Sequence, residues 1–172
     1  MKRWIAFAAA LLCLGTTCLL CGCDMKLQEV SEPETTHTAL VLLDVDISTL
    51  ITKAELEEAL DNVTLREPQI SNEGRTLFAI SEGGKVSVSM SVEKRTLDEF
   101  HNALPKVSED DLQEAPNLAQ EAWWLSSGST LFLYSGGYIV SIAVSDRTVD
   151  EETRLLSARS IASILCGRLP AA

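Results

Sequence analysis

The sequence predicts an α+β domain: an antiparallel sheet of about six strands, flanked by helices and carried behind an N-terminal export signal. Three observations predict it. Stretches that alternate apolar and small polar residues are joined by glycine turns, as in Lys85–Val92 after Gly83-Gly84. Helical segments open on Thr-x-x-Glu capping boxes, and a long apolar stripe at helical spacing closes the chain. One pattern (strand, Gly-Gly, strand, Arg-Thr-x-Asp-Glu) occurs twice, with its glycine pairs at 83 and 136 and its Arg-Thr pairs at 95 and 147. The sheet is therefore expected to consist of two pseudo-repeated hairpin-helix halves.

In chain order, Lys2 and Arg3 give a positive start, and Trp4 to Leu20 is almost wholly apolar. That run of about 17 residues sits at the lower limit for spanning a bilayer. It ends on Leu19-Leu20-Cys21-Gly22-Cys23-Asp24, which reads as a bacterial lipobox. Small Gly22 lets a peptidase approach the backbone, so residues 1–22 are read as a signal peptide and Cys23 as the lipid acceptor. Bulky Leu20 makes Cys21 the weaker acceptor. An uncleaved anchor or an ordinary secretory signal are the competing readings. Two or more acyl chains, palmitate among them, would give lasting attachment. The expected place is a cell membrane, lipid-anchored and facing outside the cytoplasm.

The chain has 14 Lys and Arg against 25 Asp and Glu. Removing residues 1–22 takes away Lys2 and Arg3 and no acid, leaving 12 against 25, or −13. Such a balance speaks against nucleic acid as a partner. It should also repel anionic headgroups, so acyl chains must supply the membrane affinity. Cys13, Cys18, Cys21 and Cys23 lie in the signal or at its end, leaving Cys166. The mature chain thus has no intramolecular disulfide and no cysteine zinc site.

Residues 23–37 read as the lipidated Cys followed by a flexible acidic tether, polar and interrupted by Pro33. The folded domain is expected over 38–172. Ala39–Leu43 is a short apolar run that reads as either strand or helix. Thr52 and Glu55 form a capping box, with Ile51 and Leu56 spaced for a hydrophobic staple, and a helix follows over 53–61. Strands over 76–81 and 85–92 flank Gly83-Gly84. Thr96 with Glu99 opens a helix over 97–104, and Thr148 with Glu151 opens another over 149–167. The paired Arg-Thr turns read as duplicated strand-to-helix joints with Arg95 and Arg147 solvated, or else as a duplicated binding site. Lys106–Gln120 is acidic and flanked or broken by Pro105 and Pro116, with a short helix expected after Ser108. A meander over 121–125, 130–135 and 138–145 follows. In the last helix Leu155, Ala158, Ile161, Ala162, Leu165 and Leu169 make one stripe, with Cys166 at its edge.

Catalytic motifs are not apparent. The two histidines are His37, in the tether, and His101, in a helix, and no G-x-S-x-G elbow is present. Asp44 and Asp46 form at most a weak calcium pair, and neither glycine pair has the context of a phosphate loop. The sequence therefore predicts no enzyme, no metal site and no cofactor. Trp123-Trp124 is the most unusual dipeptide. Helped by Tyr134 or Tyr138 from adjacent strands, it is the candidate aromatic wall of a shallow ligand pocket. Because strand side chains alternate, the two tryptophan rings should face opposite sides of the sheet.

Residues 51–60 (ITKAELEEAL), 121–144 (EAWWLSSGSTLFLYSGGYIVSIAV) and the closing helix to Leu169 are similar in order and spacing to PsbP-like extracytoplasmic domains. These include the sensor domains of actinobacterial receptor kinases and related small lipoproteins. The resemblance covers most of 48–169 and lies in the order of elements. It implies a non-catalytic ligand-binding or sensing module on the outer face of a membrane, with an unknown small ligand or envelope protein as partner. The alternative is an accessory subunit that assembles or stabilises an envelope complex.

Overall fold

The structure is a computed structural model that describes residues 45–71 and 73–170. The signal peptide, Cys23, the tether and Ala39–Leu43 lie outside the described residues.

The chain enters through two short helices. Asp46 caps α1 (Ile47–Leu50) by accepting from the Ser48 N–H at 2.9 Å. Thr52 caps α2 (Lys53–Ala59) in a complete capping box. The Glu55 N–H donates to Thr52 Oγ1 at 3.3 Å, and the Thr52 N–H donates to Glu55 Oε2 at 2.9 Å. Ile51 and Leu56, the staple pair, are both buried.

Three strands follow: β1 (Gln69–Ile70), β2 (Thr76–Ile80) and β3 (Val86–Lys94). Next come α3 (Leu97–Ala103), β4 (Leu112–Glu114), β5 (Glu121–Leu125), β6 (Thr130–Ser135), β7 (Tyr138–Asp146) and α4 (Glu151–Cys166). All seven strands join one antiparallel sheet in the order β1-β2-β3-β7-β6-β5-β4. The fold is α+β, as the alternation and the caps predict. The two strands most easily missed, β1 and β4, are the short edges.

The centre of the sheet is the β3–β7 pair, in register from Val86↔Asp146 to Lys94↔Tyr138. Its even-numbered residues (Val88, Met90, Val92, Val140, Ile142 and Val144) point to one face and are buried. Ile47, Leu50, Leu56, Ala158, Ile161, Ala162 and Leu165 from α1, α2 and α4 complete one core cluster with them. Each large side chain buried there contributes about 1.5–3 kcal/mol of transfer free energy. Helix α3 packs on the other face: buried Phe100 lies with its ring 5.9 Å from that of Tyr134.

Two local expectations are corrected. No helix follows Ser108: the chain makes a turn there, with the Leu112 N–H donating to Ser108 O at 3.1 Å, and then becomes β4. The reason is Asp111. It accepts from Ser126 Oγ at 2.8 Å, the Ser127 N–H at 2.8 Å and Ser127 Oγ at 2.7 Å, which draws the segment alongside β5. Those bonds, the Ser127 hydroxyl foremost, hold the Asp111 carboxyl below its usual range. The last helix is capped by Asp150, which accepts from the Thr153 N–H at 2.9 Å, and not by Thr148. Thr148 donates to Asp146 instead, and Glu151 is engaged by Trp124.

Candidate functional site

Strand alternation divides the four aromatic candidates between the two faces, so they do not form one wall. Trp124 is in the core, 1% exposed, and its Nε1–H donates to Glu151 Oε1 at 3.0 Å. Tyr138 is also buried on that face. Trp123 and Tyr134 are half-buried on the opposite, outer face. Trp123 stands directly across from Phe132, and its Nε1 is buried without a hydrogen-bond partner. Tyr134 lies under α3 against Phe100.

Following the register shows what the outer face contains. One row runs Trp123, Phe132, Ser141, Ser91, Thr76, and a second runs Leu125, Thr130, Ala143, Ser89, Phe78. The two central strands therefore present Ser87, Ser89, Ser91, Ser141, Ala143 and Ser145, all small. Phe132 rises on one side and Phe78, 39% exposed, on the other. Small residues between larger ones make a trough about 14 Å across, three strand spacings. The alternating serines are visible in the sequence, but their alignment across β3 and β7 depends on the register of two strands about 50 residues apart.

Helix α3 closes one end. There a cleft of about 440 Å³ is lined by Ser91, Glu93, Arg95, Glu99, Asn102, Ala103, Phe132, Ile139 and Ser141. Arg95 binds Glu93 at 3.2 Å and Glu99 at 3.2 Å. Glu99 also accepts from the Thr96 N–H at 2.8 Å, the main reason its carboxyl lies below its usual range. Ser91 and Ser141 share a hydrogen bond of 2.8 Å across the floor. His101 Nε2 meets Glu121 Oε2 at 2.7 Å and ties α3 to β5. At the opposite end, a cleft of about 590 Å³ is lined by Gly84, Lys85, Ser87, Ser145, Arg147 and Thr148.

On the core side a cleft of about 190 Å³ lies between the end of α2 and the start of α4. Arg154 borders it, donating through Nη1 to Asp146 O at 3.1 Å and Val149 O at 2.9 Å. That arginine holds the β7–α4 connection together. Among the described residues no three His, Cys, Asp or Glu side chains converge as a metal-ligand set. Ser91 and Ser141 bind each other and His101 binds Glu121, so neither serine is set against that histidine. The arrangement suits recognition through hydroxyls, apolar walls and charged ends.

Comparison with known proteins gives no match: neither a protein family, a curated protein nor a solved structure is significantly similar to the chain.

Proposed function

We propose that the chain is an extracytoplasmic lipoprotein whose open sheet face is a non-catalytic surface for ligand binding or sensing. The observation that carries this is the trough. Three helices cover one face of the sheet, while the other keeps a serine floor between aromatic sides and has a cleft at each end. A sheet face needed only for stability would be expected to carry longer charged side chains in its central strands.

In this reading residues 1–22 are the signal, Cys23 carries the acyl chains, 23–37 are the tether and 38–172 the domain. Attachment comes from the acyl chains; among the described residues no helix is long and apolar enough to cross a membrane. The likeness to PsbP-like domains belongs to the same proposal, supported by the order of short helix, hairpin, helix, meander and long helix. So does the duplication of hairpin-helix halves. The Arg95-to-Arg147 offset carries Met90 onto Ile142, and these two are cross-strand partners at the centre of the sheet.

The test has two arms. Cys23→Ser should abolish incorporation of labelled palmitate and leave an unprocessed precursor, whereas Cys21→Ser should not; the reverse result overturns the lipidation register. The full-length protein, purified from native membranes after photo-crosslinking, should carry a ligand or partner attached to the outer face. Phe132→Ser and Ser89→Tyr, which alter a side and the floor of the trough, should each abolish that capture without lowering thermal stability. Retained capture in both would remove the open face from consideration.

The accessory-subunit reading is favoured by one feature, the exposed apolar residues Phe78 (39%) and Ile70 (42%) beside the β1 edge. Cross-links confined to that edge would select it.

A further inference from the structure

We infer that the end of the trough away from α3 is a phosphate-binding site, built by Lys85 and Arg147 with the hydroxyls of Ser87 and Ser145. The inference rests on reading this face as the recognition surface and names the chemistry at one end of it.

The β3–β7 ladder ends at the pair Val86↔Asp146. Lys85 is one residue before that pair and Arg147 one residue after it, so continuing the register sets two cations opposite each other. Both line the same cleft of about 590 Å³ with Ser87 and Ser145, which are themselves cross-strand partners. Like charges in opposed positions on a sheet are destabilising, so their juxtaposition calls for a compensating anion. No carboxylate among the described residues supplies one: neither cation forms an ion pair there. Asp146, adjacent in sequence, has its Oδ1 held by the Thr148 N–H at 2.7 Å and the Thr148 hydroxyl at 2.6 Å, and it borders the cleft on the core side. By contrast Arg95, the corresponding arginine at the other end of the trough, is held by Glu93 and Glu99. In a chain with 25 acids and 14 bases, an unpaired cationic pair on a hydroxyl-lined floor is a selective feature.

The donor set favours phosphate over carboxylate. A guanidinium fork, a lysine ammonium and two hydroxyls offer more donors than the two oxygens of a carboxylate can use, while a phosphate group accepts all of them. The group could be a free or polymeric phosphate, or the headgroup of an anionic lipid.

The experiment uses the full-length lipoprotein in non-ionic detergent, with amide hydrogen exchange read at residues 84–87 and 145–148. Inorganic phosphate should protect both segments saturably, and chloride at matched ionic strength should not. Losing a charge-assisted contact weakens binding about tenfold or more, so Lys85→Gln and Arg147→Gln should each raise the half-saturating phosphate concentration at least that much. Lys53→Gln, on α2, should leave it unchanged. Reconstitution into nanodiscs of neutral lipid, with or without phosphatidylglycerol, separates the sources. Protection by phosphate in solution but not by phosphatidylglycerol identifies a soluble or polymeric ligand; protection on phosphatidylglycerol nanodiscs, lost in the two variants, identifies a headgroup. Absence of protection under every condition, or equal protection in wild type and both variants, overturns the inference. If capture by the trough still depends on Phe132 and Ser89 in that case, the recognition surface stands and only its phosphate end falls.

Discussion

Trp124 and Trp123 are neighbours in sequence and separated by the whole thickness of the sheet, so truncating each in turn tests the strand assignment directly. Trp124 is 1% exposed, in contact with the core beneath α4, and its Nε1–H bonds Glu151 at 3.0 Å. Replacing a buried Trp by Ala costs about 3–5 kcal/mol in transfer and cavity terms. The lost hydrogen bond adds little, because Glu151 is exposed and returns to water. For a domain of this size the loss corresponds to a fall in Tm of roughly 10 to 18 °C. Trp124→Phe keeps most of the volume and should cost about 1–2 kcal/mol. Trp123 is half-buried and its Nε1 has no partner to lose, so Trp123→Ala should cost no more than about 2 kcal/mol. The assay is thermal unfolding followed by far-UV circular dichroism, checked against urea midpoints. Equal large losses in both variants would show that both rings serve the core, and a larger loss for Trp123→Ala would show that the register of β5 is wrong.

Two further outcomes follow from the charge and thiol environments. Bonding to Arg168, then to the Thr52 N–H and hydroxyl, pushes the Glu55 carboxyl down to about 2 from an ordinary 4.5. The folded-state value is the lower one, so the unfolded chain binds more protons: this contribution is complete above about pH 4.5 and lost as pH falls toward 2. Glu55→Gln should therefore flatten the fall in urea midpoint across that window, and an unchanged slope would refute the assignment. Burial raises the Cys166 thiol above its usual value, outweighing a bond from Ser135. Native protein should thus react with a thiol reagent more slowly than the unfolded chain does, and Cys166→Ala should cost about 1 kcal/mol. Rapid labelling at neutral pH, or a Cys166-linked dimer, would contradict the packing.

Much of the fold was legible because local signals agreed with their surroundings. The Val86-Val88-Met90-Val92 alternation marks the buried face of a central strand, and Thr52 and Thr96 sit at the helix starts their capping boxes indicate. Thr148-x-x-Glu151 carries the same signature and forms no such cap. Its glutamate has a competing partner, the Trp124 indole, which is 27 residues away in sequence and invisible to a local rule. The same limit hid β4: Lys106–Gln120 is acidic and has no apolar period, and what places it at the sheet edge is its backbone pairing with β5, reinforced by the hydrogen bonds from Ser126 and Ser127 to Asp111. The candidate site was half legible. Period-two alternation requires Trp123 and Trp124 to part, as the sequence indicates, whereas Tyr134 and Tyr138 are separated by the hairpin register that pairs Ser135 with Tyr138 across Gly136-Gly137.

Why one face of the sheet stays open follows from the joints after the two central strands. β3 and β7 run antiparallel as partners, each followed by an Arg-Thr-x-Asp-Glu turn, so the two turns leave from opposite ends of the sheet. Helix α4 has 16 residues and a continuous stripe of Ala158, Ile161, Ala162 and Leu165, enough to cross the core face. Helix α3 has seven residues and buries one large side chain, Phe100. A seven-residue helix spans only about 10 Å, so it can cover the corner at Tyr134 and cannot reach the β3–β7 serines at the other end. The uncovered length then has to tolerate water. Serine does so where valine would not, and the serines sit on the very strands whose opposite face is Val88, Met90, Val92, Val140, Ile142 and Val144. The trough is thus the joint result of a short α3, small outward side chains and a tightly packed inner face. Lengthening α3 toward Ser89 and Ser87 would close it without disturbing the core.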